Sequence, residues 1–222
     1  MTTRIALIHA VTVAVAPVEA AFRALWPEAE CCNLLDDSLS RDRERERELT
    51  AAMTRRIIGL AEYAMAAGAE GILFTCSAFG PAIEAAASRV AVPVLKPNEA
   101  MFEAALAAGH RIGMLATFAP SVASMEQDFR DMAGAQGVPA TIETYCVPGA
   151  MAALQAGDAT THNRLVAEAA PRFAGCDAVL LAHFSTARAA AATGAALGLP
   201  VLTSPGSAVA RLKGLLAANA PR

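Results

Sequence analysis

The sequence predicts an α/β protein of two pseudo-symmetric halves, each a parallel sheet covered by helices. Three observations carry this expectation. Short apolar runs bounded by turn residues alternate with stretches of helical periodicity, the signature of strands joined by helical crossovers. One run, Gly71-Ile72-Leu73-Phe74-Thr75-Cys76-Ser77, stops abruptly at a thiol and suits a strand buried on both faces. The chain also repeats itself at a fixed displacement, the spacing that carries Cys76 onto His183.

That displacement lays Glu70–Cys76 over Asp177–His183 and Arg4-Ile5-Ala6-Leu7-Ile8 over Arg111-Ile112-Gly113-Met114-Leu115. It also lays Val92-Pro93-Val94-Leu95 over Leu199-Pro200-Val201-Leu202 and Gly68 over Gly175. Three strands and one helix stop agree without a gap, which indicates two equivalent units, each the size of a small domain. The division falls at 1–98 for the first half and 99–222 for the second, with the final helix of the chain able to pack on the first half.

In chain order, Arg4 to His9 is the first strand, and Pro17 sits in the first turn of a helix presenting Val18, Ala21, Phe22 and Leu25 on one face. Glu28 to Leu35 is a second strand. A single long helix follows from about Ser40 to Ala67, stopped by Gly68. Its alternating run Arg41-Asp42-Arg43-Glu44-Arg45-Glu46-Arg47-Glu48 suits a solvated face with internal ion pairs. The thiol strand comes next, then a helix from Gly80 or Pro81 and a strand at Val92 to Leu95. Asn98 caps a linking helix that ends at Gly109. The second half follows the same order: strand 111–116, helix from Pro120, strand 140–146, helix 159–173, strand 178–183, helix 186–197 and strand 199–202. Ser204-Pro205 opens the last helix.

With a net charge of −3 and pI near 5.8, nothing points to nucleic acid or an anionic membrane as partner. No apolar stretch reaches spanning length, and the start of the chain runs directly into a strand, so the expected compartment is the cytoplasm. The five cysteines show neither metal-ligand spacing nor a disulfide framework. Phosphate-loop and dinucleotide glycine patterns are missing, and Thr75-Cys76-Ser77 lacks the glycines of a nucleophile elbow.

Ligands of open α/β sheets bind beyond the carboxyl ends of the strands. The polar residues there are His9, Thr12, Thr75, Cys76 and Ser77 in the first half, and Thr117, Ser121, His183, Ser185 and Thr186 in the second. Under a pseudo-twofold they face one inter-half cleft. Hydroxyls and helix-start N–H groups suit a carboxylate, and the dipole of the following helix is expected to favour the Cys76 thiolate. Two opposed proton-transfer groups could remove a proton from one face of a carbon and return it to the other.

Two similar halves, with Leu73-Phe74-Thr75-Cys76-Ser77 closing the third strand, resemble the aspartate/glutamate/hydantoin racemase superfamily over almost the whole chain. The resemblance implies a cofactor-independent enzyme, a small carboxylate substrate, a homodimer, and two cysteines acting as acid–base catalysts. Cys76 matches the first cysteine. The second position falls on His183 within Leu180-Leu181-Ala182-His183-Phe184-Ser185, a departure from the two-thiol pattern. By the same resemblance Thr75, Ser77, Thr117 and Ser121 hold a substrate carboxylate. The expected activity is racemisation or epimerisation at a carbon next to a carboxylate or carbonyl, with Cys76 as thiolate base and His183 as the opposing group. A decarboxylase or cis–trans isomerase using Cys76 alone, and a non-catalytic carboxylate-binding protein, are the alternatives.

Overall fold

The computed structural model describes residues 2–46 and 48–219. The chain divides into two compact units. One runs through Ala100 and resumes at Ala208; the other is Met101–Ser207.

The first unit is built on four parallel strands in the order β2-β1-β3-β4: β1 (Arg4–His9), β2 (Glu30–Leu35), β3 (Gly71–Phe74) and β4 (Val94–Leu95). Every residue of β3 is buried, as an uninterrupted apolar run requires of a strand covered on both faces. Helix α1 (Val15–Leu25) buries Val18 and Phe22. On another face Ile8, Ile72 and Phe74 pack in one cluster with Leu39, Met53, Ile57, Phe79 and Ile83.

The single helix expected over 40–67 is two: α2 (Ser38–Glu46) and α3 (Ala51–Ala66). Thr50 starts α3 by accepting the Met53 N–H at 3.3 Å, which an uninterrupted helix would not need. Arg56 of α3 then holds α2 alongside, bonding both Asp42 and Asp36 at 2.6 Å. The charge-alternating run is largely exposed; Arg47 within it lies outside the described residues. Helix α4 (Gly80–Ala87) follows the thiol turn, and α5 (Glu99–Ala108) follows β4.

The second unit has the same plan: β5 (Arg111–Ala116), β6 (Thr141–Cys146), β7 (Ala178–Leu181) and β8 (Val201–Thr203), all parallel in the order β6-β5-β7-β8. Its helices are α6 (Val122–Gln136), α7 (Ala150–Gln155), α8 (Ala159–Ala169) and α9 (Ala190–Leu197). α10 (Ser204–Asn219) closes the chain.

The internal repeat survives at the level of strand register. Ile5 pairs with Gly71 and Ile112 with Ala178; Ile72 pairs with Val94 and Val179 with Val201. All four pairs obey the sequence displacement. Partners on the outer strand do not: Arg4 faces Glu30, whereas Arg111 faces Thr141, because the connection around α6 is longer. One site of the repeat has been repacked. A Cβ at Gly113 would lie 2.5 Å from the Phe173 ring, so the strand gives up the alanine carried by its counterpart Ala6 to admit an aromatic.

Strands β3 and β7 stop two residues before Cys76 and His183, so both lie on the turns leaving their strands rather than within them.

Candidate active site

Each unit gathers the expected polar residues at the carboxyl ends of its two central strands. In the first, His9 ends β1 and is buried. Its Nδ1 lies 2.9 Å from Thr75 Oγ1, and its Nε2 lies 2.9 Å from Asn33 Oδ1 on β2. Asn33 Nδ2 donates in turn to Glu19 Oε1 of α1 at 2.8 Å. Burial pushes the His9 pKa below its ordinary value, more than the Asn33 bond and the Glu19 charge raise it.

Cys76 leaves the strand in an extended conformation, φ −121° and ψ 122°, and caps a 3-10 turn over Ser77–Phe79 that runs into α4. Its thiol packs against the cluster containing Phe74 and Phe79. The sequence expectation of a favoured thiolate is reversed here. Burial pushes the Cys76 thiol up, and the Ala78 N–H aimed at it pulls the other way less strongly. A 3-10 turn of three residues offers little dipole, whereas removal from water acts on the full charge. Thr12 and Ser77 are exposed on the turns after β1 and β3.

In the second unit, Thr117 follows β5 and Ser121 ends the 3-10 turn Ala119–Ser121. His183 stands at φ 70° and ψ 151°, the only non-glycine residue with positive φ among those described. That region is nearly exclusive to glycine. Ser121 Oγ donates to the Phe118 carbonyl at 3.0 Å and lies 2.6 Å from His183 Nε2. With the serine proton directed to Phe118, Nε2 carries the imidazole hydrogen and Nδ1 its lone pair. Nδ1 is buried without a hydrogen-bond partner among the described residues. Burial lowers the His183 pKa; the Ala182 carbonyl opposes this by favouring the protonated ring. The Phe118 ring meets the imidazole edge-on, centroids 6.4 Å apart, with much of its surface exposed.

The other two hydroxyls pair with one another: Thr117 Oγ1 and Thr186 Oγ1 are 3.4 Å apart, both buried. Ser185 is half-buried on the 3-10 turn Phe184–Ala189. Thus the structure joins His9 to Thr75, His183 to Ser121 and Thr117 to Thr186. Sequence reasoning missed Asn33, Glu19 and Phe118. The signal for Asn33 was present, a lone amide inside the apolar run Cys31-Cys32-Asn33-Leu34-Leu35. Among the described residues, no cluster of three or more His, Cys, Asp or Glu could hold a metal ion, and no helix is long and apolar enough to cross a membrane.

The family model for Asp/Glu/Hydantoin racemase matches residues 10–212. The chain belongs to this family. No curated protein matches the sequence significantly. Among solved structures, the chain is similar to allantoin racemase from Klebsiella pneumoniae at 19% identity and TM-score 0.73, covering 98% of this chain and 89% of that one. It is similar to an aspartate racemase homologue from Pyrococcus horikoshii OT3 at 16% identity and TM-score 0.73, covering 98% and 100%. A mutant of arylmalonate decarboxylase in a sulfate-associated form matches at 18% identity and TM-score 0.64, covering 95% and 93%. At these identities the structural likeness establishes the fold.

Proposed function

We propose that the protein is a cofactor-independent racemase or epimerase acting at a carbon next to a carboxylate or related carbonyl, with Cys76 and His183 as its two acid–base groups. The observation that carries this reading is their equivalence. Each is the second residue after the third strand of its unit, in a chain that belongs to a racemase family.

Their protonation states at rest are complementary. A thiol pushed up by burial is a neutral proton donor, and an imidazole pushed down by burial is a neutral acceptor. The His183 imidazole takes the proton from the α-carbon, leaving its electron pair delocalised into the carboxylate or carbonyl, and the Cys76 thiol delivers its own proton to the opposite face. The enzyme is left with an imidazolium and a thiolate, the pair that the reverse direction requires. The Ala182 carbonyl, which favours the protonated ring, stabilises that second state. Exposed Ser77 and the N–H groups of the 3-10 turns are the donors for the substrate carboxylate.

The neutral thiol also favours a second reading, a decarboxylase in which Cys76 alone protonates the carbanion left by loss of CO2. All five cysteines are free, which fits a reducing cytoplasm. Incubation in D2O with both enantiomers of a panel of amino, hydroxy and cyclic ureido acids tests the proposal. Deuterium should enter the α-carbon of the inverted product, and Cys76→Ala and His183→Ala should each abolish inversion. Stereospecific decarboxylation of malonates surviving in His183→Ala would establish the second reading. Absence of exchange and of decarboxylation in the wild type would leave a carboxylate-binding protein.

A further inference from the structure

The hydrogen bonds around His9 form one chain with a defined direction. The Glu19 carboxylate can only accept, so it takes a proton of the Asn33 amide and thereby points Oδ1 at His9. Oδ1 also only accepts, so His9 Nε2 must carry the hydrogen of the ring. The neutral ring then offers a lone pair at Nδ1, and the Thr75 hydroxyl donates to it at 2.9 Å, in preference to the Ile8 carbonyl at 3.4 Å. Thr75 is fixed along its backbone too, its N–H donating to Ile8 at 3.0 Å. The next residue is Cys76.

We propose that Asn33 and Glu19 are positioning residues for the thiol-bearing turn, holding His9 as its Nε2–H tautomer and committing the Thr75 proton inward, away from any substrate carboxylate. The proposal rests on the reading of Cys76 as the reacting thiol. Under it the Thr75 proton is committed to His9 instead of to a substrate carboxylate. The device belongs to the thiol-bearing unit. The residues equivalent to His9 and Thr75 in the other half are Ala116 and Ala182, which can form no such chain.

The remaining neighbours of His9 leave the direction unopposed. Burial favours the neutral ring. On α1 the charged groups are Glu19 and Arg23, paired at 3.7 Å. Asp36 meets His9 only through its backbone N–H at 3.1 Å, and its carboxylate is bonded to Arg56 at 2.6 Å. The facing group just after β3 is the uncharged Thr75.

The test pairs 15N NMR of the His9 ring with mass-mapped iodoacetamide labelling of Cys76 in the full chain. Wild type should show a neutral Nε2–H ring at pH 7. Glu19→Leu releases the Asn33 amide to turn over, so the His9 tautomer should switch to Nδ1–H although His9 itself is untouched. Glu19→Gln offers a donor as well as an acceptor, so it no longer dictates the Asn33 orientation and should give a mixture of the two tautomers. Asn33→Asp places a carboxylate against Nε2 and should leave His9 protonated at pH 7. In Glu19→Leu and Asn33→Asp the Cys76 labelling rate should change by roughly threefold or more, and in Glu19→Gln it should lie between wild type and Glu19→Leu. An Nδ1–H ring in the wild type overturns the proposal. So do ring signals that respond as stated while Cys76 labelling stays constant, since the chain would then position nothing. Turnover surviving in Cys76→Ala would instead overturn the functional reading, whatever the state of His9.

Discussion

His183 Nε2 lies 2.6 Å from the Ser121 hydroxyl, while its Nδ1 is buried without a partner among the described residues. One nitrogen is tethered, and the other is buried with its hydrogen-bonding capacity unmet. Ser121 was expected from the sequence to hold a carboxylate. Its proton goes to Phe118 and its oxygen faces the imidazole.

Ser121→Ala should therefore act on the chemical step. The variant leaves both ring nitrogens unpartnered, and about 1–3 kcal/mol of stability should be lost with the buried N–H. On any substrate found by deuterium exchange, kcat should fall about tenfold, a barrier change of ~1.4 kcal/mol, with KM changed less than twofold. A raised KM with unchanged kcat would return Ser121 to carboxylate binding.

Stability should depend on pH through the two buried rings. Both His9 and His183 have folded pKa values below the ordinary value, so the unfolded chain binds protons that the folded chain refuses. Their contribution is complete above the unfolded value of about 6.5 and is lost as pH falls from there through the folded values. Each ring adds at most about 1.4 kcal/mol per pH unit within that window. Urea titrations between pH 7.5 and 5 should show the fall, and His183→Gln should make it shallower. An unchanged slope in that variant would mean that His183 takes up its proton as readily in the folded protein as in the unfolded chain.

Cys76 should label slowly in the free protein. Burial raises its pKa, so the midpoint of its iodoacetamide rate against pH should lie above the ~8.5 of an ordinary thiol. Cys31, pushed up to about 11 by burial and by the nearby Glu19 charge, should be slower still to ionise. Mass-mapped labelling from pH 7 to 10 measures both. A Cys76 midpoint below 8 would show that the turn after β3 supplies more positive potential than the Ala78 N–H.

The repeat made most of this fold legible. Equivalent strands announce themselves when Arg4-Ile5 recurs as Arg111-Ile112, and their pairing with Gly71 and Ala178 follows the same displacement. The break between α2 and α3 was not legible. Leu49-Thr50 interrupts helical periodicity only weakly, and the decisive contact is Arg56 reaching 14 and 20 positions back to Asp42 and Asp36. The site divides the same way. Cys76 and His183 were visible as types at repeated positions, whereas their protonation depends on burial, which no local pattern reports. The Glu19–Asn33–His9–Thr75 chain joins one helix, two strands and the turn after β3, so its members are neighbours only after folding.

The backbone at His183 yields the last prediction. Cys76 occupies an ordinary extended conformation, but His183 is held at φ 70° and ψ 151°, where a Cβ is disfavoured by about 1–3 kcal/mol. The sequence therefore keeps a side chain where glycine would be easier, and the strain is retained with the imidazole. His183→Gly should raise the melting temperature, because strain and an unpartnered buried nitrogen are removed together. His183→Ala removes the nitrogen but keeps the Cβ, so it should be less stable than His183→Gly despite glycine's greater freedom when unfolded. Both should lose inversion in the deuterium assay. Differential scanning calorimetry of the two variants decides the matter: His183→Ala melting above His183→Gly would show that the turn carries no strain.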